Sequence, residues 1–149
     1  MTISNQKTAL DPVVEIFRER GFYAYGTFDD QNRWCVACDV EDGHIDIRIG
    51  DDGYELDAWA TLIGMYLDEE NTRRRYALER LARVSIPAIQ RGILDDTEQL
   101  HWDDVEKGIA LRKTIQLPFA ATERLPDIAM AQLQDVNETL LFLARQINS

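Results

Sequence analysis

RWCVACDVEDGHIDIRIGDDGYELDAWATL, residues 33–62, holds two Asp-Gly pairs, Asp42-Gly43 and Asp52-Gly53, each set between segments whose apolar residues recur at every second position. Asp-Gly favours the positive-φ residues of a type I′ hairpin turn, and a period of two sends alternate side chains to opposite faces of a strand. The stretch therefore predicts an antiparallel meander of strands 33–40, 44–50 and 54–62. With a two-residue loop at each pair, Val40 faces Ile45, Cys38 faces Ile47 and Val36 faces Ile49, while Ile49, Ile47 and Ile45 face Leu56, Ala58 and Ala60. That face is apolar throughout. The other face carries Ala37, Asp39 and Glu41, then His44, Asp46 and Arg48, then Glu55, Asp57 and Trp59, with Arg48 beside Asp57, and reads as solvated. Two independent turns that agree on one apolar face fix the parity. On that parity, Ile47→Asp is severely destabilising and Asp46→Ala is neutral to within about 0.5 kcal/mol.

Upstream, Asp11-Pro12 has the form of a helix start, and Leu10, Val13, Val14 and Phe17 recur at helical spacing as far as Gly21. A strand follows at about 22–28, with Tyr23, Tyr25 and Thr27 on one face and Asp29–Asn32 as its turn. Downstream, a stripe of Leu78, Leu81, Ala82 and Ser85 predicts a helix from about 69 to 85 that Pro87 limits, with a further short turn ending at Gly92. Residues 98–102 and 109–117 alternate across a turn-rich connection and form a hairpin, and Pro118 and Pro126 bound a loop. Ala129, Leu133, Val136, Leu140, Leu143 and Ile147 step by four and three through a final helix. The fold class is α+β: an antiparallel sheet of five to six strands flanked by helices, in the order helix, strands, helix, β-hairpin, helix.

At 149 residues the chain has the length of one domain, 1–149, with 1–9 as a flexible N-terminus and 10–148 globular. The formal net charge of −11 repels phosphate backbones and anionic lipid, so neither nucleic acid nor membrane is expected as a partner. A polar first segment without a signal-peptide core, together with the lack of any long apolar run, points to the cytoplasm. Cys35 and Cys38 should be reduced thiols.

No motif of enzymes is present: there is no nucleophile elbow, no phosphate-cradling glycine loop and no His-Glu-x-x-His. Cys35-Val36-Ala37-Cys38 has thioredoxin spacing, but it sits in a strand where an interval of three puts the thiols on opposite faces. His44 with Asp39, Glu41 and Asp46 has ligand types for a divalent cation; a polar face in so acidic a chain produces such groupings by chance, and no metal or cofactor is expected. Arg73-Arg74-Arg75 is preceded by Glu69 and Glu70 at the favourable i, i+4 spacing, which reads as a self-paired solvated face; such a triplet also suits docking of an acidic partner. Trp59, Tyr23 and Tyr25 fall away from the apolar face, where either a protein partner or a covering helix would use them.

His44–Ile49 followed by Tyr54–Leu62, Gln99–Asp103 with Gly108–Arg112, and Ile115–Pro118 leading into the long last helix resemble the two hairpins and closing segment of class I type III secretion chaperones. They also resemble the wider chaperone-like superfamily that includes YbjN-type bacterial proteins and cyanobacterial domains of unknown function. The pattern covers residues 11–147; residues 66–97 are longer than the family's middle helix and loop. The resemblance implies a homodimer without catalytic residues that holds a segment of a partner protein. The alternatives are a regulatory domain with a folded partner and, last, a small enzyme.

Overall fold

The computed structural model describes residues 2–148. In it the helix α1 (Ile3–Glu19) leads into β1 (Ala24–Phe28), β2 (Trp34–Val40), β3 (Gly43–Ile49) and β4 (Tyr54–Thr61). Then come α2 (Thr72–Gly92), the hairpin β5 (Glu98–Asp103) and β6 (Gly108–Leu117), a 3₁₀ helix (Phe119–Arg124) and α3 (Leu125–Asn148). The six strands form one antiparallel sheet in the order β1-β2-β3-β4-β6-β5. This is the α+β class and element order that the alternating and helical patterns predict.

Both meander turns fall one residue earlier than the Asp-Gly pairs suggest. Val40 pairs with Gly43, leaving Glu41 and Asp42 as the loop, and neither has a positive φ, so the type I′ geometry is not used. The Gly50 amide donates to the Gly53 carbonyl at 2.7 Å and closes the second loop at Asp51-Asp52. Gly53 is needed for a different reason: a Cβ there would collide with the Leu117 carbonyl oxygen. The register between β2 and β3 consequently moves by two residues. Val36 pairs with Ile47 and Cys38 with Ile45, and Asp39 sits opposite His44 instead of Asp46. A shift of two preserves the parity. Val36, Cys38, Ile45, Ile47, Leu56, Ala58 and Ala60 are all buried, as the alternation requires.

The solvated reading of the other face holds at its rim, where Asp39 and Glu41 are exposed, and fails at its centre. Asp46, Arg48 and Asp57 are buried, at 9%, 4% and 2% exposed, and Cys35 and Ala37 beside them are buried too. Alternation reports which face is apolar; it does not report whether long charged side chains on the other face fold over one another and exclude water.

Residues up to Ala58 together with Thr114–Leu133 make one compact unit, and Trp59–Lys113 together with residues from Gln134 onward make a second. In the first, α1 packs on β1, β2 and β3 through buried Leu10, Val13 and Phe17, and the Lys7 ammonium lies 4.4 Å from the centroid of the Trp34 ring. Its start is corrected. Thr2 is the N-cap, its hydroxyl accepting from the Asn5 amide at 3.2 Å, and Pro12 lies inside the helix. Met1 of the expected flexible segment lies outside the described residues, and the helix takes in the rest of that segment from Ile3.

In the second unit α2 continues through Pro87, against the expectation that proline limits it. Pro87 has no N–H for the Arg83 carbonyl, but the turn beyond it is anchored on both sides. Ile89 is buried, and the Gln90 amide is bonded twice to β5, donating to the Glu98 carbonyl at 2.7 Å and accepting from the Leu100 amide at 2.9 Å. Asn71 caps the helix by accepting from the Arg74 amide at 3.0 Å, which leaves Glu69 and Glu70 outside it. Along α3 all six seam residues, from Ala129 to Ile147, are buried. Among the described residues no helix is long and apolar enough to cross a membrane.

Candidate functional site

The second sheet face of the first unit carries a connected set of ion pairs. Arg48 Nη2 donates to Glu55 Oε1 at 2.6 Å and to Asp57 Oδ2 at 2.8 Å, and its Nη1 lies 3.6 Å from Asp29 Oδ2. Thr114 donates its hydroxyl to Asp57 Oδ1 at 2.6 Å, and Arg33 Nε reaches Asp29 Oδ2 at 3.0 Å. Asp29 is itself fixed as a turn carboxylate, accepting from the Gln31 and Arg33 amides at 2.9 Å each. Burial disfavours the charged Arg48 guanidinium, yet Glu55 and Asp57 outweigh it and hold its pKa above the ordinary arginine value. The hydrogen bond from Arg48 keeps Glu55 below the usual carboxylate range.

His44 bridges two carboxylates: Nδ1 contacts Asp39 Oδ1, and Nε2 lies 2.7 Å from Asp46 Oδ1. Only the imidazolium donates at both nitrogens. Burial favours the neutral ring, but the bonds and charges of Asp46 and Asp39 prevail and its pKa is raised. Each ring nitrogen is thus turned to a different carboxylate. Among the described residues no group of three or more His, Cys, Asp or Glu side chains is placed to hold a metal ion. Cys35 and Cys38 pair with Thr27 and Ala24, on opposite faces as the odd spacing requires. Burial pushes the Cys35 thiol up to about 12 and the Cys38 thiol to about 11, so neither is a thiolate at neutral pH. Beside this face an open cleft of about 620 Å³ is lined by polar groups that include Arg33, Asp51, Asp52, Glu55 and Gln116.

The three aromatic residues singled out from sequence divide between the units. Tyr23 is 73% exposed and stacks on half-buried Tyr25 with centroids 5.3 Å apart, and the Tyr25 hydroxyl donates to Asp39 at 3.0 Å. Trp59, in the other unit, is half-buried, with the Arg112 guanidinium 5.8 Å from its ring centroid. It is a cation-stacked side chain rather than a bare aromatic.

A second exposed surface, which the sequence reading missed, is the outward side of α2. Tyr76, Leu81 and Val84 are 59%, 45% and 65% exposed. The stripe of Leu78, Leu81, Ala82 and Ser85 that predicts the helix is divided: Ala82 is fully covered, whereas Leu81 is 45% exposed. The signal was present, because Ala77, Leu81, Val84 and Ala88 step by four, three and four, a second apolar stripe on the same helix. The arginines at its start are not self-paired as expected. Arg74 meets Glu69 at 3.2 Å, but Glu69 and Glu70 precede the cap, and among the described residues Arg73 has no carboxylate within salt-bridge distance. Thr72, Arg73, Tyr76, Ala77 and Arg80 line a shallow concavity of about 570 Å³.

No protein-family model and no curated protein matches the chain. Among solved structures it is similar to the crystal structure of an uncharacterized protein from Methanothermobacter thermautotrophicus, with a TM-score of 0.51 and 14% identity over 93% of this chain and 97% of that one. At that identity the likeness is one of fold.

Proposed function

We propose that the chain is a non-catalytic protein-binding domain of the secretion-chaperone-like fold, and that it holds a segment of a partner protein against α2. The observation that carries this reading is the outward apolar stripe of that helix, three of whose large side chains are between 45% and 65% exposed on one element. Several large apolar side chains exposed on one element mark an interaction site in a protein that otherwise buries such residues. Packing on a helix face is favoured over strand addition, because the outer strands already have side-chain partners. Gln90 occupies backbone groups of β5, and Arg18 Nε donates to the Ala24 carbonyl of β1 at 3.0 Å. The exposed Tyr23 ring offers a smaller accessory contact in the first unit. In this reading the protein works in the cytoplasm as a homodimer, and exposed Leu141 and Phe142 of α3 are the surface offered to the second copy.

The test is affinity capture from the native cell with the wild-type protein and with Leu81→Asp/Val84→Asp. Both side chains face solvent, so the variant should keep its thermal midpoint. The co-purifying protein should be lost by at least tenfold, a difference of about 1.4 kcal/mol. Equal capture by the two proteins, or no partner with either, defeats the proposal.

A further inference from the structure

Six arginines, Arg73, Arg74, Arg75, Arg80, Arg83 and Arg91, stand on α2 against one acidic residue, Glu79. The helix thus carries a net charge of +5 in a chain whose total is −11. Glu79 is turned inward at 7% exposed and does not neutralise the outer side. Arg74 is committed to Glu69, and Arg83 lies 6.0 Å from the Trp102 ring centroid. Among the described residues, Arg73, Arg80 and Arg91 have no carboxylate within salt-bridge distance, although acidic residues outnumber basic ones by 27 to 16.

These three arginines share one stripe with the apolar residues. Arg73, Ala77, Arg80, Val84, Ala88 and Arg91 step by four, three, four, four and three, which at 100° per residue keeps them within one outward sector. Tyr76 and Leu81 flank it. The surface therefore alternates guanidinium and small apolar groups, with Arg73 and Arg80 about 10 Å apart along the axis and Arg80 and Arg91 about 16 Å apart at 1.5 Å per residue.

We infer that the occupant of α2 is an acidic amphipathic segment of another protein, lying along the helix with apolar side chains on Ala77, Leu81 and Val84 and carboxylates on Arg73, Arg80 and Arg91. The inference rests on the reading of α2 as the binding face and names the chemistry of what it binds. Arginine is suited to the task because its planar fork takes a carboxylate at two points and is weakly hydrated. A second copy docked α2 against α2 would set arginine against arginine, with Glu79 turned away on both sides. A membrane surface is a poorer match, since the middle of the stripe is alanine and valine where an interfacial helix presents Trp, Phe or Leu.

The probe is a synthetic amphipathic peptide of about twenty residues, with leucines on one stripe and glutamates spaced to meet Arg73, Arg80 and Arg91, and a counterpart with every glutamate replaced by glutamine. Binding is followed by fluorescence anisotropy to the wild-type protein, to Arg73→Gln/Arg80→Gln/Arg91→Gln and to Leu81→Asp/Val84→Asp. The glutamate peptide should bind the wild type at least tenfold more tightly than the glutamine peptide does. The arginine variant should remove that preference, and added salt should weaken the glutamate peptide alone. Equal binding of the two peptides, abolished by Leu81→Asp/Val84→Asp, overturns the acidic partner and leaves the apolar docking face standing. No binding of either peptide overturns both. Tighter binding to anionic vesicles than to the glutamate peptide, or self-association that the arginine variant abolishes, overturns the inference in favour of a lipid surface or a second copy.

Discussion

Replacing Arg48 by methionine, which fills similar space without the charge, should cost about 3–5 kcal/mol. The magnitude follows from what remains. Asp57 would keep the Thr114 hydroxyl at 2.6 Å but lose the Arg48 guanidinium at 2.8 Å, and its side chain is 3% exposed, so water cannot replace the lost hydrogen bond. Glu55 loses its partner too, but at 25% side-chain exposure it can be hydrated and should add little. The Arg48 Nε has no hydrogen-bond partner among the described residues, so the pair is imperfectly satisfied and its removal as a whole should be mild. Arg48→Met/Asp57→Leu is accordingly expected to recover most of the loss, and Glu55→Gln alone to cost about 1 kcal/mol or less. Urea titrations followed by circular dichroism supply the numbers, with unchanged m-values confirming one transition. If Arg48→Met costs under about 1 kcal/mol, this face is solvated and the argument for its burial is wrong.

His44 sets the alkaline limb of the stability profile. Its pKa is raised above the ordinary 6.5 in the folded state, so its contribution is fully present below pH 6.5 and is lost as pH climbs through the folded value. Asp39 and Glu55, held below 3.8 and 4.5, act in the opposite sense, stabilising above those values and losing the effect as pH falls. Thermal midpoints should peak between these limits, and His44→Gln should flatten the alkaline limb; an unchanged profile in that variant would contradict the bridging geometry. Ile47→Asp should abolish folding, and Asp46→Ala, with a buried carboxylate that receives His44 at 2.7 Å, should cost about 1–3 kcal/mol instead of nothing, both read by urea titration. Pro87→Ala should raise stability by about 1–3 kcal/mol by supplying the missing donor inside α2, and a loss on calorimetry would mean that the proline relieves strain there. Light scattering at micromolar concentration should return about twice 17.1 kDa, and a value near 17 kDa would remove the proposed homodimer.

The architecture was legible in the sequence because parity survives errors in turn placement. Both loops sit one residue from their predicted positions, yet the displacement is an even number in register, and Ile45, Ile47 and Leu56 remain on the buried side. Helix ends were less legible, since Thr2 and Asn71 compete with several equally plausible caps, and Asp11-Pro12 imitates a start inside a helix already begun. The burial of Arg48 could not be read from alternation, which assigns charged residues to solvent without knowing that Asp29, from a turn, and Thr114, from β6, close over them. Tyr25 and Trp59 were correctly placed off the apolar face, while their engagement by Asp39 and Arg112 depends on strand neighbours. The α2 surface was missed because its two stripes overlap at Leu81, and periodicity alone does not say which one a sheet covers.

Site-specific photocrosslinking in the native cell decides whether another protein docks on α2. A photoreactive phenylalanine at Val84, 65% exposed on α2, is compared with the same group at Val105, 87% exposed in the β5–β6 turn. A discrete heavier adduct at position 84, containing one other protein and missing at position 105, is the expected result. Adducts of equal yield at both positions, or none at 84, would mean that α2 is not the docking surface.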